Sequence, residues 1–340
     1  MLRVTKKIVI WICDSKNVRR EEKMEKDFFR KDDYSEATLQ NVRDLEEKFD
    51  GTLVSIPNRD GIYCYYNGLR FISIKAKSIE PFSKSESKDP QKSEYRNKRN
   101  AIRQEILAEK TIEGRIKKYK DNKTSIEWIM EHSMSQDAER YSQQVIVKRN
   151  MSFDDDDYSA CGMETTIPSR YLSVQPNGKR KQAEVDIVII NPKQKKIYLV
   201  EYKCGKKTTF YNKQNIEAHC RDYGEILAKA DELDFVSQMI KSCNVMRKIQ
   251  NKQLLSLDDT DQYEINILFL LTKQPCDEVN KPIDNLTDED VGKAKDLVKK
   301  TAQENKINET KIWFSYTEKP ENVDFNEITS LEYRIDQWQE

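Results

Sequence analysis

Two apolar runs lie close together near the middle of the chain. Residues 185–190 form the first run, interrupted only by Asp186, and residues 197–200 form the second. The segment between them contains Asn191 and Pro192, which favour a turn. We therefore predict two strands joined as a hairpin. Near-continuous apolar runs of this kind are typical of strands that are covered on both faces.

The first quarter of the chain shows the pattern of a small α+β unit. Ser35 is a suitable N-cap for a helix whose apolar residues recur at helical spacing until Gly51. Asn67 and Gly68 form a dipeptide that is typical of a tight hairpin turn. Further strands are predicted over residues 8–13, 52–56, 62–66 and 69–74.

Beyond residue 123, helical and extended patterns alternate. A helix over residues 124–141 is followed by a strand over residues 142–148, and a strand over residues 263–272 completes the predicted sheet. Alternation of this kind favours an α/β architecture. The other predicted elements are helices over residues 212–227, 235–246 and 288–303 and a strand over residues 311–316.

A polar segment separates the two regions. Residues 77–95 are mostly serine, lysine, glutamate, aspartate and proline, which is typical of a linker. At 340 residues the chain is long enough for two domains with separate cores. We predict an N-terminal α+β domain over residues 1–77, a polar linker with a basic helix over residues 78–123, and an α/β domain over residues 124–340.

The charge composition gives no global attraction to nucleic acid, because Lys+Arg and Asp+Glu both number 59. Cations nevertheless cluster at residues 177–181 and again at Lys206 and Lys207, on either side of the predicted hairpin. In an otherwise neutral protein, such clusters indicate a cleft that could hold phosphates.

Cysteine usage and hydropathy indicate the compartment. The seven cysteines are scattered without a C-x-x-C pair and there are two histidines, so the sequence has no zinc-binding pattern. An odd cysteine count without a secretion signal favours free thiols in a reducing cytosol. No apolar run approaches the ~20 residues of a membrane span. We therefore predict a cytoplasmic protein without a membrane partner.

Three charged residues stand out in the predicted hairpin. Side chains alternate along a strand, so Glu201 and Lys203 share one face, with Cα atoms roughly 6 to 7 Å apart. Pairing of the two strands would place Asp186 beside Glu201. Two carboxylates and an ammonium at one point suit Mg²⁺ and the hydrolysis of a phosphodiester bond. The alternative is a solvated Glu–Lys pair at a strand end.

The pattern of Asp186 followed by Glu201-Tyr202-Lys203 resembles the PD-(D/E)xK, or restriction-endonuclease-like, nuclease superfamily. That superfamily has an acid on one core strand and an acid-x-Lys motif on the next. The resemblance covers about residues 124–275. It implies an αβββαβ core with a mixed central sheet flanked by helices, to which the small N-terminal α+β domain is added.

The resemblance also implies an acid on the first core helix and often a glutamine or tyrosine on the second. Glu131 is our choice for the acid, with Glu127 and Glu139 as alternatives. Gln214 is our choice on the second helix, where the rivals are His219 and Tyr223. The implied metal ligands are Asp186, Glu201 and Glu131, and the implied catalytic residues are these three with Lys203 and Gln214.

The function that the resemblance implies is a metal-dependent endonuclease that uses Mg²⁺, with Mn²⁺ as a substitute. DNA is a more favoured substrate than RNA, and restriction or phage defence is suggested by fold-level analogy. The N-terminal domain would serve recognition, regulation or contact with a partner protein or a second copy of the chain. The alternatives are a non-catalytic nucleic-acid-binding or assembly protein on the same fold, and an RNA-cutting nuclease.

Overall fold

Two β-sheets with helices around them form the described part of the protein. The computed structural model describes residues 34–58, 61–75, 78–82, 93–134, 138–167, 171–172, 183–230, 234–276 and 284–338. The predicted strand over residues 8–13 and the cation cluster at residues 177–181 lie outside these ranges. Within them, one sheet has four strands and the other has five.

The four-stranded sheet follows the first helix and is antiparallel throughout. Ser35 caps this helix as predicted, since its side chain accepts a hydrogen bond from the Thr38 N–H. Asn67 and Gly68 have φ values of 49° and 76°, which a tight hairpin of twisted strands requires. The elements are α1 (Glu36–Lys48), β1 (Val54–Asn58), β2 (Gly61–Tyr66), β3 (Leu69–Lys75) and β4 (Ser78–Pro81). Strand β4 therefore occupies part of the predicted linker.

Four helices connect the two sheets, and one of them corrects a prediction. They are α2 (Ser93–Ala108), α3 (Ile112–Asp121), α4 (Lys123–Met134) and α5 (Ala138–Arg149). The sequence pattern predicts a strand over residues 142–148, but this segment lies within α5. Ser142, Gln143 and Gln144 are as buried as the neighbouring Ile146 and Val147. This turn of the helix has no exposed polar face that would reveal a helical period.

The five-stranded sheet is mixed, with strand order β5-β6-β7-β8-β9. Strands β5, β6 and β7 are antiparallel, whereas β7, β8 and β9 are parallel. The strands are β5 (Ser159–Ile167), β6 (Ala183–Asn191), β7 (Lys196–Cys204), β8 (Glu264–Thr272) and β9 (Ile312–Thr317). The predicted β6–β7 hairpin is confirmed, with Ile187 opposite Val200 and Asn191 opposite Lys196. The first strand of this sheet is β5, which the sequence analysis did not predict.

The remaining elements cover the sheet and the C-terminal region. A π-helical turn over Lys207–Tyr211 follows β7 directly. The other helices are α6 (Ile216–Ala230), α7 (Phe235–Ile249), α8 (Asp288–Glu304) and α9 (Phe325–Ile328), with 3-10 turns at Thr260–Gln262, Glu309–Lys311, Pro320–Asn322, Leu331–Tyr333 and Ile335–Gln337. In the described ranges, no helix combines the length and the apolar composition that crossing a membrane would require.

The two sheets share one continuous hydrophobic cluster, which extends from Leu39 to Ile335. Hydrogen bonds also connect them. The Gly68 N–H at the β2–β3 turn donates to Oε1 of Gln144 on α5 over 2.6 Å. Asn58 at the end of β1 donates to the Glu164 carbonyl on β5 over 3.0 Å. These contacts fix the first sheet beside the edge of the second; the domain boundaries at residues 77 and 123 stay a prediction.

Candidate active site

The backbone of the β6–β7 hairpin places Asp186 next to Glu201. The ladder between these strands ends at the pair Ile187 and Val200, and one further step along each strand reaches Asp186 and Glu201. At this point the Tyr202 N–H donates to Oδ2 of the Asp186 side chain over 2.9 Å, in place of a backbone carbonyl of β6. The hairpin thus brings together the two acids that the sequence analysis paired.

Glu201 and Lys203 lie on one face of β7, as the alternation predicts. Nζ of Lys203 is 2.7 Å from Oε1 of Glu201. The hydroxyl of Tyr202 lies 2.6 Å from Oγ1 of Thr272. All three predicted residues are buried, with exposed fractions of 9% for Asp186, 0% for Glu201 and 4% for Lys203. Such burial does not fit the alternative of a solvated Glu–Lys pair.

The helical acid at this site is Glu139. Its Oε1 lies 3.1 Å from Nζ of Lys203, because α5 begins one residue earlier, beside the end of β7. Glu131, the residue chosen from the sequence, is exposed on α4 and is not brought to Lys203. Glu127 lies 3.6 Å from Lys123 in an ion pair on α4. Of the three candidate acids, Glu139 is therefore the one that the structure places beside Lys203.

Helix α6 contributes two residues that hold Glu201 from the other side. The Tyr223 hydroxyl donates to Oε2 of Glu201 over 2.8 Å, and Nδ1 of His219 lies 3.0 Å from the same oxygen. Gln214 is exposed at the rim of the site, because α6 begins only at Ile216. The two rivals of Gln214, rather than Gln214 itself, thus contact Glu201.

Burial and mutual repulsion shift the protonation of the acids. Burial raises the pKa of Asp186 well above its ordinary value, and the negative charge of Glu201 adds to this, while Lys203 opposes it. Burial also raises the pKa of Glu139, against the effect of Lys203. Burial alone would lower the pKa of Lys203, but the attraction of Glu201, Glu139 and Asp186 is larger and raises it well above its ordinary value. The lysine is therefore charged at neutral pH, and the acids compete for the ammonium.

Three of these four charged residues line a cavity of about 390 Å³. Asp186, Lys203 and Glu139 face it, together with Thr208 and Asp222. Asp222 is 1% exposed and was missed in the sequence analysis. Its position three residues after His219 on α6 is the signal that could have identified it, because residues three apart share a helix face.

Carboxylate oxygens are the main donors that this site offers to a divalent cation. Within the described ranges, no three acidic, histidine or cysteine side chains are already arranged as a metal-ligand set. The chemistry of the donors nevertheless fits a hard cation, because three carboxylates share one ammonium. Oε2 of Glu139 is buried and accepts no hydrogen bond from the described residues. The nearby Thr208 hydroxyl donates instead to the Cys204 carbonyl.

The cations predicted to bracket the site are only partly described. Nζ of Lys206 lies 3.1 Å from Oδ2 of Asp290, so its charge is already paired. Lys207 begins the π-helical turn that follows β7. The predicted phosphate-lined cleft therefore draws little support from Lys206, whereas Lys207 is exposed.

Comparison with known proteins identifies no relative of this chain. No family model matches it, and no curated protein or solved structure is significantly similar to it.

Proposed function

We propose that this protein is a metal-dependent nuclease of the PD-(D/E)xK kind, which hydrolyses phosphodiester bonds, with DNA as the favoured substrate. The observation that carries this proposal is the convergence of Asp186, Glu201, Glu139 and Lys203 at one buried point beside a cavity. Burial raises the pKa values of Asp186 and Glu139. Buried ionisable groups generally destabilise a fold, and groups with such shifts are concentrated at functional sites.

The order of elements supports the same proposal. Helix α5 is followed by β5, β6 and β7, then by α6 and α7, and then by β8. This order corresponds to the αβββαβ core that the motif implies, with α7 as an addition. The acid of the first helix, the acid of the second strand and the acid-x-Lys of the third strand would then be Glu139, Asp186 and Glu201 with Lys203.

Each residue has a role that its contacts support. Asp186, Glu201 and Glu139 would hold the Mg²⁺ ion, which when bound neutralises charge on a phosphate and acidifies a water molecule. Lys203 would hold the attacking water or a phosphate oxygen. Tyr223 and His219 fix the orientation of Glu201, as outer-sphere partners of a metal ligand generally do.

The proposal is tested by cleavage assays on duplex DNA, single-stranded DNA and RNA, each with Mg²⁺, Mn²⁺ or EDTA. We expect metal-dependent cleavage by the unmodified chain and a loss of about 100- to 1,000-fold in Asp186→Asn and Glu201→Gln, which is typical when a group that stabilises transition-state charge is removed. Glu131→Gln is the matched control, since it removes the same charge from an exposed position on α4.

Circular dichroism and thermal melting establish that the variants fold. Unchanged cleavage by both Asp186→Asn and Glu201→Gln would exclude the site. If the folded chain cuts none of the substrates and binds no Mg²⁺ by calorimetry, the non-catalytic binding protein is the better description. Cleavage of RNA alone would identify the RNA-cutting alternative. A role in the cytoplasm in restriction or phage defence is proposed by analogy only.

A further inference from the structure

A second cavity lies beside the first and shares two of its lining residues, Thr166 and Glu184. Its volume is about 320 Å³. Arg70 of β3, Arg99 of α2 and Arg140 of α5 all line it. We call this cavity the arginine pocket.

The arginine pocket differs in charge from the acidic cavity next to it. Its three arginines face two acids, Glu164 and Glu184. One terminal nitrogen of Arg140 lies 2.7 Å from Oε2 of Glu164, which fixes this guanidinium in the wall. Burial and the charge of Glu164 raise the pKa of Glu184, whereas Arg140 and Arg70 oppose this rise. A cationic pocket thus continues directly into an anionic one.

Aromatic rings complete the pocket on the side of the first sheet. The guanidinium carbon of Arg70 lies 4.7 Å from the centre of the Tyr63 ring. Tyr63 is partly exposed, and Tyr65, on the same strand β2, is buried. Exposed tyrosine and arginine planes are the surfaces on which unpaired bases stack in proteins that bind single strands.

The backbone fixes the arginine pocket relative to the catalytic acid. The pairs Met163 with Ile187 and Thr165 with Val185 place Glu164 opposite Asp186 across β5 and β6. Glu164 has a φ of 50°, a left-handed conformation that is unfavourable for this residue type. Strain of this kind persists where the surrounding structure enforces it, often beside a functional site.

We propose that the arginine pocket binds one unpaired nucleotide of the substrate strand, immediately beside the phosphodiester bond that lies at Asp186. The substrate class would then be single-stranded nucleic acid, or a duplex with an unpaired end. The volume lies at the lower end of the roughly 300 to 1,000 Å³ of small-ligand sites, so a nucleotide fits and a stacked base pair does not. The position of the pocket beside a cleaved bond rests on the proposed function, whereas the binding of a nucleotide in the pocket does not.

The assignment of groups follows from their chemistry. Arginine binds phosphate oxygens through two parallel hydrogen bonds, so Arg70 suits the phosphate of the nucleotide. Arg99 already donates to the Tyr95 hydroxyl over 2.6 Å and adds positive charge to the wall of the pocket. Tyr63 suits the base. In an otherwise neutral protein, nucleic acid binds where its phosphates contact cationic side chains. The acids of the neighbouring cavity remain available for a metal ion.

The test measures binding without cleavage. The Glu201→Gln protein, in EDTA, is titrated into fluorescein-labelled oligonucleotides of single-stranded DNA, single-stranded RNA and blunt duplex DNA, and anisotropy gives Kd. We expect the single strands to bind about 10-fold more tightly than the blunt duplex, a difference within the range of one base-stacking contact. The single strand that binds more tightly, DNA or RNA, shows whether the pocket prefers deoxyribose or ribose.

Variants added to this background locate the contact. Arg70→Gln and Tyr63→Ala are each expected to weaken single-strand binding about 10-fold, while Tyr63→Phe keeps the ring and binds normally. Arg70→Gln should also reduce the slope of log K against log salt by about 0.7, the value for one lost phosphate contact on a single strand. Arg149→Gln, at the exposed far end of α5, is the matched control and should have no effect.

Unchanged Kd values in both Arg70→Gln and Tyr63→Ala, or equal binding of blunt duplex and single strands, would overturn the inference. These outcomes are distinct from failure of the proposed function, because no cleavage is measured. If Arg70→Gln weakens binding but the unmodified chain cuts nothing, the pocket is supported and the nuclease is not. If the unmodified chain cuts DNA and the pocket variants bind normally, the reverse holds.

Discussion

Lys203 lies 3.1 Å from Glu139, and this contact joins the end of strand β7 to the start of helix α5. The two residues are 64 positions apart in the chain. The acid-x-Lys strand therefore meets an acid whose position depends on where α5 begins, rather than on the hairpin itself.

Replacement of Glu139 should show that this acid supports cleavage and that the acids of α4 do not. We expect Glu139→Gln to reduce metal-dependent cleavage by about 10- to 100-fold, because loss of a group that supports a metal ion or its ligands typically costs this much. Glu131→Gln should cleave at the unmodified rate. Initial rates at several Mg²⁺ concentrations give the measurement, and a larger loss in Glu131→Gln than in Glu139→Gln would contradict the assignment.

Removal of the Asp186 charge should stabilise the protein at neutral pH. The pKa of Asp186 is raised in the folded state, so between its unfolded value of about 3.9 and the folded value the native state binds more protons, and stability falls as pH rises. The Asp186→Asn variant does not lose stability in this way as the pH rises. We expect its Tm in EDTA to exceed that of the unmodified chain by roughly 2 to 4 °C at pH 8, with the difference vanishing near pH 4.

Mg²⁺ provides the control for this measurement. A cation that binds only the folded state raises its stability, so Mg²⁺ should raise the Tm of the unmodified chain and leave that of Asp186→Asn nearly unchanged. A Tm difference that does not depend on pH would show that packing, rather than charge, accounts for the change.

Lys203→Met should destabilise the fold, because the carboxylates would remain buried without their cation. We expect a loss of roughly 3 to 5 kcal/mol in the free energy of unfolding, the range for breaking a buried ion pair. The double variant Lys203→Met/Glu201→Gln should recover part of this stability but no activity. Urea unfolding of the two variants gives the comparison, and equal stability of both would contradict the coupling.

Tyr223→Phe should weaken the positioning of Glu201 while leaving this carboxylate in the site. The lost hydroxyl donates to a fully buried carboxylate, and a hydrogen bond to a charged group contributes about 1.5 to 3 kcal/mol. We expect this loss of stability together with a fall in kcat of about 10-fold. Tyr158→Phe is the matched control, since its hydroxyl donates to Gln194 rather than to the site. Steady-state kinetics should show no change in kcat for this control.

Gly68→Ala should be more costly than Gly51→Ala, although both glycines have a left-handed φ, of 76° and 66°. A Cβ at Gly68 would lie 2.7 Å from the Tyr141 backbone nitrogen, whereas Gly51 has nothing within 4 Å. The backbone cost of about 1 to 2 kcal/mol is common to both. The additional loss in Gly68→Ala, measured by urea unfolding, reports the contact of the hairpin with α5.

The β6–β7 hairpin could be predicted because its signals are local. Two apolar runs and the turn at Asn191 and Pro192 specify strands and register within 20 residues, and this register alone places Asp186 beside Glu201. The α1 helix was predictable for the same reason, since Ser35 and the apolar spacing lie in one segment.

Helix α5 and strand β5 could not be predicted because their patterns depend on tertiary packing. The buried polar residues of α5 hide its period, so the sequence pattern predicts a strand over residues 142–148 and places Glu139 near the end of a longer helix. Strand β5 contains Ala160, Cys161 and Gly162, residues that do not indicate a strand. The β5–β6 register shifts between Ala160 and Gly162, and a Cβ at Gly162 would lie 2.7 Å from Oγ1 of Thr165 and 3.0 Å from Cβ of Val188.

Glu139 and Arg140 are consecutive residues of α5, yet one lines the acidic cavity and the other lines the arginine pocket. The separation of the two cavities is therefore set by a single step along the α5 backbone. The hydrogen bond from the Gly68 N–H to the Gln144 side chain holds this helix against the β2–β3 turn, so the first sheet helps to position both cavities.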